Sequence, residues 1–251
     1  MIIDNQEISE WESKFRLKFI NSLSGYKGVH LIGSKGSSEN SNVAIFNSVV
    51  HISSEPPQIG FIMRPLTVPR HTYSNIIETK SFTINHVHES FLEQAHYTSA
   101  KTSEDKSEFN LCNLQEQYLK GFDAPFVAQS TIKIALKLVD DIPIKASGCR
   151  LIIGEVSFIE VEKDYISTDG QLDLSKADNV CVTGLNQYSK VNKLENYEYA
   201  RELDIPNFYK NDRPDNVVYD EKKKKYHASI LPYGTNVGAP KIVANNLSSW
   251  K

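Results

Sequence analysis

Cysteine is scarce in this chain. Cys112, Cys149 and Cys181 are the only three in 251 residues, and no two of them form a C-x-x-C pair. Their odd number and wide spacing argue against a disulfide framework or a cysteine zinc site, and a reducing cytoplasm is the expected compartment. Long hydrophobic runs are also missing. None approaches the ~20 residues that span a bilayer. The N-terminal MIIDNQEISEWESK lacks the basic flank and apolar core of a signal peptide, so a soluble protein with no membrane partner is expected. Positive charge is not in excess either. A net charge of −3 gives no electrostatic case for nucleic acid.

Several catalytic signatures are absent. There is no H-E-x-x-H, and His51, His86 and His88 lack a second cluster to complete a ligand set, so no metal is expected. No G-x-S-x-G elbow supports a serine hydrolase. Gly33-Ser34-Lys35-Gly36 has neither the phosphate-loop spacing nor the G-x-G-x-x-G fingerprint. The run Lys222 to Lys225 reads as a solvated loop.

What is present is mostly strand. Ser9-Glu10-Trp11-Glu12 reads as a capping box ahead of a helix. Trp11, Phe15 and Phe19 share one face, expected to dock on the core, and Gly25 is the stop. VHLIGS, VAIFNSVVHI, IGFIM and SFTINHV read as strands. Short helices are expected near Thr72–Ile77 and His88–Tyr97, and a helical turn at NLQEQYLKG. From Thr131 to Leu138 polar and apolar residues alternate as in a half-buried strand, and Cys149–Lys163 is long and β-rich with a bulge expected at Gly154. Many short strands with few helices point to a β-barrel with helical additions. The last ~60 residues lose periodicity but are too aromatic for a disordered tail, and are expected to wrap the barrel or a partner subunit.

One constellation suggests chemistry. Arg64, Arg70, His71, Thr72 and Asn75 fall within twelve positions. Arginine offers planar charged donors to phosphate, and a helix N-terminus offers free N–H groups. A loop whose Thr72 merely caps a helix, with its arginines paired to acids, explains the same spacing. The stretch AHYTSAK, Ala95 to Lys101, adds hydroxyls and a lysine, and a capped helix end explains it equally.

In order, GYKGVHLIGSK, ENSNVAIFNSVVHISSEPPQIGFIMRP, PRHTYSNIIETKSFTINHV, AHYTSAK, SEF and GLNQYSKV with the later YAR resemble the flavin reductase-like family of FMN-binding split β-barrels, its flavoredoxin-type branch, from about Gly25 to Arg201. The resemblance implies a mainly β fold, a six-stranded antiparallel Greek-key split barrel over residues 25–201; outside it, residues 1–24 are expected to pack on the barrel as a peripheral helix and 202–251 to wrap the barrel or a partner subunit as an aromatic-rich C-terminal extension. It implies FMN at a homodimer interface. Electrons would pass between flavin and NADH, NADPH or a redox partner protein. By the same likeness Asn42, Val43, Ala44, Asn47, Ser48, Val49 and Val50 line the flavin. Asn47 and Ser48 would bond through their side chains, and Val49 and Val50 through backbone N–H groups. Arg64, Arg70, His71, Thr72 and Asn75 match the phosphate segment, with Ser99 and Lys101 assisting. His71 stands where the family often has an acid, and histidine can also donate to phosphate. This would explain the small polar residues inside the apolar strand, since a flat ring needs close approach and a few hydrogen bonds. Pro56-Pro57 would then turn the chain. No catalytic side chain is implied, because the cofactor carries the hydride chemistry. A non-catalytic FMN carrier or storage protein and a heme- or pyridoxal-binding relative are the competing functions.

Overall fold

The computed structural model describes residues 1–37, 40–103, 106–197 and 199–201, together with two strands, Val217–Asp220 and Lys225–Ala228. The chain divides into two compact units, Met1–Lys193 and Leu194–Lys251. The second contains the antiparallel hairpin formed by those two strands. The expected wrapping of the C-terminal extension falls outside the described residues.

Two helices open the first unit, α1 (Asn5–Glu10) and α2 (Ser13–Leu23). The expected capping box is not formed. Glu12 itself caps α2, its carboxylate accepting from the N–H groups of Lys14 and Phe15, while Ser9 lies within α1 and donates to the Gln6 carbonyl. A glutamate carboxylate takes two free N–H groups at once, so it displaces the serine. The aromatic stripe does not dock on the core either. Trp11, Phe15 and Phe19 pack on one another, with Trp11 5.0 Å from Phe15 and 4.9 Å from Phe19, and α2 has no buried residue. Gly25 does end the helix region, at φ +72° with its N–H on the Ser22 carbonyl.

The strands follow as β1 (Lys27–Gly28), β2 (His30–Lys35), β3 (Ser41–Phe46), β4 (Val49–Ser54) and β5 (Pro57–Met63). Then come α3 (His71–Thr79), β6 (Ser81–His86), α4 (Leu92–Tyr97), α5 (Glu108–Leu111), β7 (Glu116–Gln117) and β8 (Phe126–Val127). Two long strands, β9 (Ile132–Ile144) and β10 (Cys149–Val161), precede β11 (Val180–Thr183) and β12 (Gln187–Lys190). The helical turn expected at NLQEQYLKG is instead the β7–β8 pair, because Glu116 and Gln117 find partners at Val127 and Phe126. The start of β9 is buried on both faces rather than one. Phe122, Phe126 and Phe158 cover its outer side around Ala135, and buried Lys133 is paired with Glu160 at 2.8 Å. The bulge expected at Gly154 is there, where the β9–β10 register shifts. A Cβ at that glycine would sit 2.5 Å from Phe82.

The main sheet is antiparallel and has seven strands in the order β3-β2-β6-β9-β10-β5-β4. The expected single strand VAIFNSVVHI is two. It breaks at Asn47–Ser48, so β3 pairs with β2 at one edge of the sheet and β4 with β5 at the other. Two residues reach only about 11 Å from Phe46 to Val49, so the two edges must curl toward each other. The core shows the same curl. Ile32, Phe61, Met63, Ile76, Phe82, Ile84, Leu136 and Ile152 form one buried cluster drawn from five strands and α3, and Phe46 of β3 meets Phe61 of β5 at 5.0 Å. No ladder joins β3 to β4, so the sheet is curled but not closed. Burying each such side chain stabilises the fold by about 1.5–3 kcal/mol. Across β2 a second cluster holds Leu31, Val43, Phe91, Phe109 and Val180.

The corner is held by side chains. The Ser48 hydroxyl donates to the Ile62 carbonyl (3.1 Å) and accepts from the Ile62 N–H (3.2 Å), replacing a backbone pair that the bend cannot make. Asn47 Nδ2 donates to the Gly184 carbonyl at 2.9 Å, tying the corner to the β11–β12 turn. After β4 the chain reverses at once: Ser54 pairs with Pro57, so Glu55 and Pro56 form the turn and Pro57 starts the next strand. Among the described residues no helix is long and apolar enough to cross a membrane.

Two consequences are measurable. Ser48→Ala strips both partners from Ile62 and is expected to lower stability by about 1–3 kcal/mol, read from the urea midpoint; an unchanged midpoint would place the hold on the corner elsewhere. The second concerns His30 and His86, cross-strand neighbours with rings 4.5 Å apart. Burial, then the neighbouring His86, pushes His30 well below 6.5, and burial pushes His86 down to about 4. Both therefore stay neutral in the folded chain, while the unfolded chain takes up protons as pH falls through 6.5. The unfolded state binds more protons in that window, so stability is full above pH 6.5 and declines toward pH 4. The His86 share is about 3 kcal/mol. His86→Gln should flatten that part of the pH–stability curve, and an unaltered slope would contradict the assignment.

Candidate functional site

The bent β3–β4 segment forms one wall of a cavity of about 870 Å³. This lies within the range of small-molecule pockets, ~300–1,000 Å³. The rest of the lining comes from the end of β5 with the loop to α3, the loop after α4, the turn before β12, and one face of α2.

Ten of the fourteen residues singled out in the sequence line this cavity: Asn42, Ala44, Asn47, Ser48, Arg64, Arg70, His71, Thr72, Ser99 and Lys101. Four do not. Val43 is fully buried in the second core cluster, and Val49 packs against the first. Val50 is exposed on β4, which is an edge strand and so leaves alternate N–H groups without a ladder partner. Asn75 faces β2, where its Nδ2 donates to Ser34 Oγ at 3.3 Å.

The expected cap of α3 is also displaced. Arg70, not Thr72, is the N-cap residue; it makes no side-chain cap bond, and Thr72 sits in the first turn. The first-turn N–H groups of α3 are therefore not used by a capping side chain. The Arg70 Nε is buried and has no partner among the described residues. Unpaired buried donors are rare and call for an acceptor. Thr72 is buried and bonded to Asn42 across 2.9 Å. With its oxygen toward Thr72, the Asn42 amide also accepts from the Val43 N–H at 3.2 Å, and its nitrogen donates to Glu108 Oε2 at 3.3 Å. Glu108, buried and lining the cavity, further accepts from Thr102 of the loop after α4. One carboxylate thus ties that loop, β3 and the start of α3 together.

The angle of α3 is fixed from its other side. Tyr73 Oη donates to Asp141 Oδ2 at 2.8 Å, and Arg150 Nε donates to Asp141 Oδ1 at 2.6 Å while its guanidinium lies 5.6 Å from the Tyr73 ring. Burial and the Asp141 carboxylate raise the Tyr73 pKa. The lock leaves Arg70 and His71 held on the cavity side.

Sequence reasoning did not single out His96, Tyr188 or Glu108. His96 Nδ1 and Tyr188 Oη are 2.9 Å apart, from α4 and β12, and both residues line the cavity. Burial raises the Tyr188 pKa, so its hydroxyl stays protonated at neutral pH. The pair joins residues 92 positions apart; no local spacing signals it. Glu108 lies in the SEF stretch, which carried no assigned role, and its burial is what distinguishes it.

The arrangement can therefore hold a flat ligand against a polar-edged strand wall and place its anionic end at Arg70 and the start of α3. A family model described as the flavin reductase like domain matches residues 25–172. Among solved structures the chain is 42% identical to a protein of Shewanella frigidimarina NCIMB 400 assigned as a flavin reductase with a split barrel domain; the match covers 80% of this chain and 100% of that one, with a TM-score of 0.77. Nitrilotriacetate monooxygenase component B of Bacillus cereus is 20% identical, with coverages of 78% and 98% and a TM-score of 0.69. Flavoredoxin of Desulfovibrio vulgaris (Miyazaki F) is 23% identical, with coverages of 70% and 92% and a TM-score of 0.60. The family model spans more than half of the residues and overlaps the strands and loops that wall the cavity, so this chain belongs to the flavin reductase-like family.

Proposed function

We propose that this protein is an FMN-binding oxidoreductase that passes electrons between NADH, NADPH or another donor and flavin, and that it works as a homodimer. The observation that carries this reading is the unpartnered, buried Arg70 Nε at the start of α3, on a cavity large enough for a flavin mononucleotide. A buried guanidinium N–H without an acceptor fits a phosphate ester. The residues present fit the group: Arg70, Arg64, Lys101, Ser99 and the first-turn N–H groups at His71 and Thr72 would hold the phosphate.

The ring system would lie along Ala44, Phe46, Asn47 and Ser48, with Ile62 and Met63 as apolar floor. The backbone of the bend at Asn47 and Ser48 would offer N–H groups to its polar rim. When bound, the flavin supplies the hydride and electron chemistry. The protein orients it, tunes it through hydrogen bonds and keeps water from one face. Tyr188 holds its proton on Oη, and its hydroxyl and His96 Nδ1, 2.9 Å apart, form a polar pair at the cavity wall. A six-stranded Greek-key barrel would require the seven observed strands to count β3 and β4 as one bent strand. Exposed Val50, Phe15, Ile20 and Leu23 support a second copy as the cover for β4 and the side of α2 away from the cavity.

Arg70→Ala removes no internal hydrogen bond of Nε. It is expected to weaken FMN binding about tenfold or more while the melting temperature of the FMN-free protein moves by only a few degrees; unchanged FMN affinity would remove the phosphate assignment. Anaerobic titration of the FMN-loaded protein with NADH and with NADPH should bleach the flavin absorbance with at least one of them. A yellow protein that neither nicotinamide bleaches is an electron carrier rather than a reductase of this type.

A further inference from the structure

The cavity carries more positive charge than one phosphate ester calls for. Among the described residues Lys14, Lys18, Arg64, Arg70 and Lys101 line it, against one lining carboxylate, Glu108, which is already held by Thr102 and Asn42. Arg64, Arg70 and Lys101 come from the loops that flank the start of α3 and the end of α4. Lys14 and Lys18 come from α2, which precedes residues 25–172 of the shared domain. Lys14, Leu17 and Lys18 fall at i, i+3 and i+4, so they share one helical face, and all three line the cavity.

Neither ammonium has a carboxylate within ion-pair distance among the described residues. The acid nearest in sequence, Glu12, accepts from the backbone N–H groups of Lys14 and Phe15 as helix cap. Three lysines elsewhere are ion-paired among the described residues: Lys133 meets Glu160 at 2.8 Å, Lys137 meets Asp123 at 3.3 Å, and Lys190 meets Asp178 at 2.9 Å and Glu89 at 3.0 Å. Two unpaired cations one helical turn apart, set on a cavity wall, match an anion with two adjacent charges.

We propose that Lys14 and Lys18 form a second anion subsite, separate from the Arg70 grip, that takes the diphosphate of a dinucleotide. This deepens the reading above and rests on it for the identity of the first ligand. Leu17 between them offers an apolar contact for the adjoining sugar or base. The diphosphate can belong to a nicotinamide dinucleotide that meets bound FMN, or to a flavin adenine dinucleotide that fills the whole cavity.

Calorimetric titration of the FMN-loaded full chain with ADP-ribose at low salt tests the subsite. Lys14→Gln with Lys18→Gln is expected to weaken ADP-ribose about tenfold and to leave the FMN affinity within about twofold. Lys80→Gln with Lys145→Gln, two exposed lysines outside the cavity lining, makes the same charge change and should alter neither. Unchanged ADP-ribose affinity in the Lys14 and Lys18 variant overturns the proposal. So does an equal loss in the control, or an equal loss of FMN, which would assign both lysines to the cofactor's own phosphate. NADH added to FMN-loaded protein and FAD added to FMN-free protein then show which dinucleotide loses affinity in the variant. Wild-type protein that fails to bind FMN sinks the oxidoreductase reading. A lysine-dependent ADP-ribose isotherm in that case would still leave the subsite standing.

Discussion

Asn47 and Ser48 carry the chain from one edge of the main sheet to the other, and the cavity exists because they do. β3 and β4 cannot both continue straight, since one pairs with β2 and the other with β5. A bend in a strand leaves backbone donors and acceptors without partners, and each buried orphan costs about 1–3 kcal/mol. Ser48 removes that penalty by offering one oxygen as donor and acceptor to the same residue, Ile62. Asn47 adds one donation, from Nδ2 to the Gly184 carbonyl. Small polar side chains inside an apolar strand are thus explained first by the fold. Any ligand role for the segment then falls on its backbone and on surfaces that the corner bonds leave open.

The cavity's electrostatics run against the composition. The whole chain is acidic at −3, yet among the described residues the lining has five side chains of fixed positive charge and one carboxylate. Holding like charges close together without partners opposes folding. The fold tolerates it because the cations stand on three independent supports: the capped α2, the loop after α4, and α3, which Tyr73, Asp141 and Arg150 lock in place. The unsatisfied Arg70 Nε belongs with this pattern. Local rules are broken at the site and obeyed in the strands around it.

Much of the fold was legible because strand periodicity is local. β2, β5, β6, β9 and β10 sit close to where alternation and β-branched residues place them, and the phosphate-side residues cluster in sequence as well as in space. The misread elements have a common cause. Ser9 and Glu12 formed a plausible box, but a choice between two competing caps depends on backbone geometry. NLQEQYLKG has helical composition, yet its strand pairing depends on Phe126 and Val127 ten residues away. The break at Asn47–Ser48 is a consequence of the curl that brings the two sheet edges together, which no window of ten residues contains. His96, Tyr188 and Glu108 escaped notice because each acquires its place through contacts with distant elements. The resemblance to the family supplied cavity residues that spacing alone left balanced against a plain helix cap.

Helix α2 adds a last constraint. It has eleven residues and buries none of them, and isolated helices shorter than about 12–15 residues are marginal in water. Its order rests on the Glu12 cap, the Trp11–Phe15–Phe19 ring cluster, and the close approach of Ser22 to Gly184, where a Cβ would lie 3.0 Å from the serine hydroxyl. The same helix lines the cavity through Lys14, Leu17 and Lys18. Anything that binds those residues only when the helix is formed must stabilise the helix by its own binding free energy. The relation is reciprocal: whatever covers the apolar side of α2 and orders it must raise the affinity of the cavity face by the same factor. Occupancy of the site and order of its N-terminal wall are therefore one equilibrium.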